Sequence, residues 1–143
     1  MLEKSEATYV LIISVSKDFE IIVGCLGKVL FKKGNYIYIG SAKGCLEARL
    51  RRHLRRNEKI YWHIDYLLNN KKAQISRIWV IQKSIECKTA DVFNEQPISE
   101  IVEKGFGSSD CKCLTHLFYI NDKEKAEKIL EKMHFSRIIE FGL

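Results

Sequence analysis

Arg49, Arg52, His53 and Arg56 recur at three- and four-residue spacing, which on an α-helix puts four nitrogen-bearing side chains along one stripe. Just before them, Tyr36-Ile37-Tyr38-Ile39 is patterned as a strand, and Gly40-Ser41-Ala42-Lys43-Gly44 reads as a turn of small residues. A strand running through such a turn into a cationic helix is a place to hold a phosphate. The turn offers backbone N–H groups, the helix N-terminus adds a positive partial charge, and the side-chain stripe supplies further donors. The expectation is that one helical stripe carries both binding and chemistry.

A second group of chemistry-bearing types lies further on. The segment Asp110-Cys111-Lys112-Cys113-Leu114-Thr115-His116 contains Cys-x-Cys-x-x-His, which are zinc-ligand types, with Cys87 as a candidate fourth ligand. The spacing is not one of the usual zinc-finger spacings, and Cys111 and Cys113 would share one face of a strand. A Cys111/His116 nucleophile pair is another reading. The default for all five cysteines (Cys25, Cys45, Cys87, Cys111 and Cys113) is that of buried, reduced small hydrophobes. Their odd number, and an N-terminus Met-Leu-Glu-Lys-Ser-Glu that does not read as a signal peptide, lead us to expect a cytoplasmic, reducing setting.

Charge points the same way as the helical stripe. Between Lys43 and Lys59 stand seven basic residues (Lys43, Arg49, Arg51, Arg52, Arg55, Arg56 and Lys59) against Glu47 and Glu58, and this local excess accounts for most of the net +6. So concentrated a patch favours a polyanion, with nucleic acid as the expected partner and Lys43, Arg51, Arg52, Arg55 and Arg56 as its contacts; a solvated helix face is the competing reading. No apolar run reaches the length of a membrane span, since even Tyr9 to Val15 is only strand-sized, so no membrane partner is expected.

The 143 residues carry no Pro/Ser/Gly-rich linker and read as a single domain, 1–143. Thr8 to Ser16 is apolar on both faces and predicts a central strand. Phe19 to Gly24, Lys28 to Phe31 and the Tyr36 strand follow at short spacing and predict an antiparallel meander. After the basic helix, Ile60, Ile64, Leu67 and Leu68 predict a second helix over Tyr61 to Asn69, and Gln74 to Ile81 a further strand. Ser84 is placed to cap a helix from Ile85 to about Asn94 with Glu86 in its first turn. Ile98 to Lys104 reads as short helix or loop, Gly105 to Asp110 as loop, and Leu114 to Ile120 as strand. Asn121 or Asp122 caps a last helix bearing Ala126, Ile129, Leu130 and Met133. The fold class expected is α+β, a small, mostly antiparallel sheet flanked by helices.

Tyr38-Ile39-Gly40, an earlier strand bearing Tyr9, Arg49 and His53 on the next helix, and Glu86 opening a later one resemble the GIY-YIG nuclease superfamily. More narrowly, Tyr38-Ile39-Gly40-Ser41-Ala42, Arg49 to His53, Trp62-His63-Ile64-Asp65, Glu86-Cys87 and Gly105-Phe106-Gly107-Ser108-Ser109-Asp110-Cys111 resemble an uncharacterised archaeal and bacterial subfamily, a domain of unknown function sometimes fused to endonuclease III. The first triplet here reads Ala7-Thr8-Tyr9, and the long spacer from Tyr9 to Tyr38 is assigned to the extra strands between Phe19 and Phe31. The superfamily resemblance implies a GIY-YIG-like domain that cuts phosphodiester bonds with one divalent metal. Glu86 would hold Mg²⁺ or Mn²⁺, Arg49 would clamp the scissile phosphate, Tyr38 or His53 would activate water, and Tyr9 would position it.

Those residue types suit the reaction. Phosphodiester hydrolysis builds negative charge on oxygens, which a hard cation and a planar guanidinium stabilise, while water needs a base. His53 has the right unperturbed pKa for that base, whereas Tyr38 would need activation by nearby positive charge. Each residue also has a plainer reading: Tyr9 and Tyr38 as core aromatics, Arg49 as a solvated charge, Glu86 as a first-turn glutamate favoured by the helix dipole. His63 or Asp65, with Ser109 and Asp110, is expected to line the same groove. Two functions stand at this level: a metal-dependent nuclease acting on DNA, to which the endonuclease III fusion adds a hint of repair, and a non-catalytic nucleic-acid-binding module on the same scaffold.

Overall fold

A strand apolar on both faces must be covered on both, and the computed structural model, which describes residues 6–56 and 59–139, shows how this is done. Strand β1 (Glu6–Val15) lies between β4 (Gly34–Lys43) and β5 (Ala73–Ile81) in a six-stranded sheet. The sheet is completed by β6 (Ser99–Ile101), β7 (Leu117–Ile120) and β8 (Ser136–Ile138), in the order β6-β7-β4-β1-β5-β8, every pairing antiparallel. One face carries α1 (Leu46–Leu54) and α2 (His63–Leu68), the other α3 (Glu86–Asn94) and α4 (Lys123–Lys132). Tyr9, Leu11, Tyr36 and Tyr38 pack with Leu50, Ile64 and Leu67 on the first side, while Val10, Ile12, Ile37 and Ile39 pack with Ala90, Phe93, Ala126 and Leu130 on the second. The α+β class with an antiparallel sheet is as expected. Among the described residues, no helix is long and apolar enough to cross a membrane.

The predicted meander does not form. β2 (Phe19–Ile22) and β3 (Lys28–Phe31) make a separate two-stranded hairpin, and β4 pairs with β1. Only one face of the hairpin is apolar enough to bury: Phe19, Val29 and Phe31 enter the core while Ile22 and Leu30 stay exposed. The doubly apolar β4 takes the interior place instead. The long spacer between Tyr9 and Tyr38 is thus an excursion outside the main sheet.

Other boundaries also move. The basic helix stops at Leu54, and Arg55 is extended, so Arg56 leaves the stripe that carries Arg49. Ser84 does not cap α3; its N-cap is Ile85, without a side-chain cap bond. Ser99–Ile101 is an edge strand instead of helix or loop, and Leu114–His116 is withdrawn from β7 because the Leu114 carbonyl accepts the Gly105 amide and the His116 amide donates to the Phe106 carbonyl. Asp122 caps α4 by accepting from the Lys125 amide, as predicted. The last described strand is β8, paired with β5; residues 140–143 lie outside the described residues, as does Glu58.

Gly40 stands opposite Tyr9 in the β1–β4 register, and the Tyr9 ring lies directly across it; a Cβ there would come within 2.4 Å of the ring. That close approach gives the Tyr-Ile-Gly triplet its physical reason. Beyond the ring, the Tyr9 hydroxyl meets His53 Nε2 at 2.7 Å, and His53 is only 4% exposed beneath α1. Burial pushes the His53 pKa down to about 4, with the Arg52 and Arg49 charges adding to the shift and Asp65 opposing it. The folded protein therefore keeps His53 neutral.

Two consequences can be measured. Gly40→Ala should destabilise the fold by about 1–3 kcal/mol in urea denaturation, because the new methyl group meets a ring with no room to retreat. Below pH 6.5 the unfolded chain takes up a proton that folded His53 refuses, so stability is full above that pH and falls as pH drops toward 4, by about 3 kcal/mol from this group. Subtracting the pH dependence of His53→Gln from that of the parent should isolate this loss; superimposable curves would mean that His53 is not held neutral.

Candidate active site

Tyr9 on β1 and Tyr38 on β4 project from the same face of the sheet toward α1. On α1, Arg49 follows Cys45 by one helical turn and lies beside both rings. Its Nη1 donates to the Ser41 carbonyl and its guanidinium stacks over Trp62 at 4.9 Å, so two separate contacts aim it. Glu86 comes from the opposite side, at the first position of α3. What places it is Thr8, the neighbour of Tyr9, whose side chain points to the other face of β1. Thr8 Oγ1 donates to the Lys83 carbonyl at 2.7 Å and accepts from the Ile85 amide at 2.9 Å, tying the approach to α3 onto the central strand.

These elements enclose a cavity of about 160 Å³ whose lining includes Tyr9, Tyr38, Arg49, Glu86, Asp110 and His116. Arg49, Glu86 and Asp110 give this lining one cation and two carboxylates. Gly107 closes one wall with φ +71, and a Cβ there would come within 3.0 Å of the Tyr38 ring, so this loop position needs glycine for both conformation and space. Burial raises both tyrosine pKa values well above the ordinary range, Tyr9 further through Tyr38 and Tyr38 further through the Glu86 charge, while Arg49 partly offsets both. Both phenols are therefore protonated at neutral pH. His53 meets the cavity residues through its bond to the Tyr9 hydroxyl and through ring contacts with Tyr38 and Trp62, and among the described residues its buried Nδ1 has no hydrogen-bond partner.

Glu86 also approaches His116, with Oε2 3.3 Å from Nδ1. This is an electrostatic contact and not an aligned hydrogen bond, since His116 Nδ1 has no partner of hydrogen-bond geometry. His116 and Cys111, also part of the lining, are cavity residues that the phosphate-site reading of the sequence missed. Thr8 and Ser41 were missed as well: they pair with each other across β1 and β4, and their signal was only adjacency to Tyr9 and to Gly40.

The remaining predicted residues divide by what they touch. Arg52 donates to Asp65 at 2.8 Å and to the Lys59 carbonyl, and stacks on Trp62 and Tyr61. Asp65, 2% exposed, also accepts the Tyr61 and Trp62 amides, which fixes the start of α2. Breaking so buried a pair costs about 3–5 kcal/mol, so Arg52 and Asp65 are scaffold. His63 Nδ1 accepts the Gly107 amide and holds the cavity loop from behind, while Ser109 is exposed beside Asp110. Lys43 and Arg51 are exposed and pair loosely with Glu6 and Glu47, contacts worth about 0–1 kcal/mol that a phosphate can displace. Arg55 and Arg56 line a neighbouring groove of about 380 Å³ with Lys71, and Arg56 Nη2 donates to the Asn70 carbonyl. A larger cavity of about 770 Å³ beside α4 is lined by none of the site residues above; there Arg77 and Glu127 pair at 2.8 Å.

Comparison with curated proteins and with solved structures gives no match. A family model, described as a domain of unknown function, DUF123, matches residues 8–138, a span that contains every cavity residue named above. The chain belongs to the DUF123 family.

Proposed function

We propose that this domain is a metal-dependent phosphodiesterase of the GIY-YIG type that cuts DNA. The observation that carries the reading is the small cavity in which Tyr9, Tyr38, Arg49 and Glu86, drawn from four separate stretches of chain, face one another. A phosphate seated there meets the Arg49 guanidinium, already aimed by Ser41 and Trp62, and gains the fork of donors that its oxygens match. Glu86 and Asp110 line the same cavity and are the hard oxygen donors that Mg²⁺ or Mn²⁺ takes, the rest of its shell being waters and substrate phosphate, so the residues fit such an ion. Bound there, the ion would neutralise charge developing on the phosphoryl oxygens.

The chain's own groups account for the proton. Attack by water forms one P–O bond and breaks the ester P–O bond, releasing an alcohol and a phosphomonoester. Tyr9 holds the attacking water at the cavity wall, and His53 behind it, a weak base because burial favours its neutral form, relays the proton through the Tyr9 hydroxyl without holding it. Tyr38, held protonated by burial and by Glu86, donates a hydrogen bond to the phosphate and does not act as the base. DNA approaches along Lys43, Arg51, Arg55 and Arg56, basic residues before, on and after α1 that are exposed on the surface.

One observation favours the second reading, a binding module that does not cut: Arg49 and Glu86 already have internal partners in Ser41 and His116. The two separate in a cleavage assay on labelled duplex, single-stranded, flapped and abasic DNA, with and without Mg²⁺ or Mn²⁺. We expect metal-dependent cutting by the parent, its loss in Glu86→Ala with affinity kept within a few-fold, and a larger loss of rate than of binding in Arg49→Ala. Binding without cutting across the panel would establish the module instead.

Binding itself should be salt-sensitive. With Arg49 and the four outward-facing basic residues each neutralising one phosphate, log K should fall against log salt with a slope near −4 to −5, and an Arg55→Ala/Arg56→Ala double variant should flatten it by about 2. An unchanged slope would remove that edge from the interface.

A further inference from the structure

We propose that Cys87, Cys111, Cys113 and His116 bind one zinc ion in a closed structural site that joins the start of α3 to the cavity loop. The sequence pattern left this in doubt, because Cys-x-Cys-x-x-His is not a usual finger spacing and Cys87 stands more than twenty residues away. Folding removes that objection. Two thiols from the loop, one from the first turn of α3 and the imidazole ahead of β7 come together so that their four ligand atoms all lie within 4.8 Å of one another.

The geometry suits zinc in particular. With sulfur at about 2.3 Å and nitrogen at about 2.0–2.1 Å from a tetrahedral ion, a sulfur and a nitrogen ligand sit about 3.5 Å apart. Cys111 Sγ lies 3.5 Å from His116 Nε2. The other ring nitrogen, Nδ1, lies 3.3 Å from Glu86 Oε2, out of line for a hydrogen bond as it stands but near enough for a small ring rotation to give the carboxylate–histidine pairing that orients a metal-bound imidazole. His116 is itself immobilised, 1% exposed, its amide bonded to the Phe106 carbonyl and its carbonyl to the Ile39 amide. Three thiolates and a neutral imidazole form a soft donor set that favours zinc over the hard cations expected at Glu86 and Asp110.

The loop supplies the structural need. Residues 102–116 carry turns and bends but no helix or strand, yet they present Gly107 and Asp110 to the cavity. A zinc staple closes this loop against α3 and so fixes the separation of the Asp110 wall from Glu86. Loading proceeds as Zn²⁺ plus three thiols and one imidazole, with three protons released and no electrons exchanged. The site stands whether or not the domain cuts DNA.

The test uses the full chain, expressed with zinc and purified without chelator. Elemental analysis should find one zinc per chain, and cobalt substitution should give the intense visible bands of a tetrahedral thiolate site. Cys113→Ser should lose stoichiometric metal, while Cys45→Ser, outside the cluster, should keep it. If Cys113→Ser fails to fold, the parent alone decides: under brief alkylation Cys25 and Cys45 should be modified while Cys87, Cys111 and Cys113 are protected until a strong chelator is added. Absence of metal with all five thiols reacting alike would overturn the site, and so would a disulfide among the three. Because metal content is read without DNA, failure here is distinct from failure of the cleavage assay, and Glu86→Ala should still contain zinc.

Discussion

An aromatic ring lying flat across a glycine on the neighbouring strand is the constraint from which the candidate site follows. Tyr9 can cover Gly40 only because that residue has no Cβ, and this contact sends the phenol past the sheet toward α1. Its hydroxyl then meets His53, and the bond between them sets how α1 seats on the sheet. Once α1 is seated, Arg49 reaches the Ser41 carbonyl and the Trp62 face. A wider residue at position 40 would disturb each of these contacts in turn, because interiors packed to native density pass on displacement instead of absorbing it.

Polarity in the cavity comes from charges of both signs in its lining. The cation is a guanidinium held by the Ser41 carbonyl and the Trp62 face; the anions are two carboxylates, one on α3 and one on the loop. Beside them the two phenols are protonated, and behind Tyr9 His53 is unprotonated, because burial penalises their charged forms. A neutral imidazole behind a phenol costs little to bury at neutral pH, because its polar atom on that side is met by the Tyr9 hydroxyl.

The arginines of the basic stretch separate into scaffold and surface by burial. Arg52, locked onto Asp65 and stacked on two aromatic rings, does for α1 and α2 what an apolar contact does elsewhere, and its charge is spent inside the fold. Lys43 and Arg51 remain on the surface with weak partners. A charge count along the sequence treats all of these alike, although only the surface residues add to the field that an approaching polyanion meets.

Residue order alone determined the α+β class, the doubly buried central strand, the basic helix and the first-turn position of Glu86, because hydrophobic periodicity acts over a few residues and is written locally; the turn expected over Gly40 to Gly44 is instead the end of β4, which stays paired with β1 as far as Lys43. The Tyr-Ile-Gly triplet and the spacing of Arg49 and His53 were legible for the same reason. Tertiary structure decided the rest. It placed β4 beside β1 and put the intervening hairpin aside, gave Thr8 the task of holding the start of α3, and buried Arg52 while leaving Arg51 exposed. It also gathered Cys87, Cys111, Cys113 and His116. These are contacts between residues distant in sequence, and they depend on which of several apolar faces finds cover, a competition settled only when the whole chain packs.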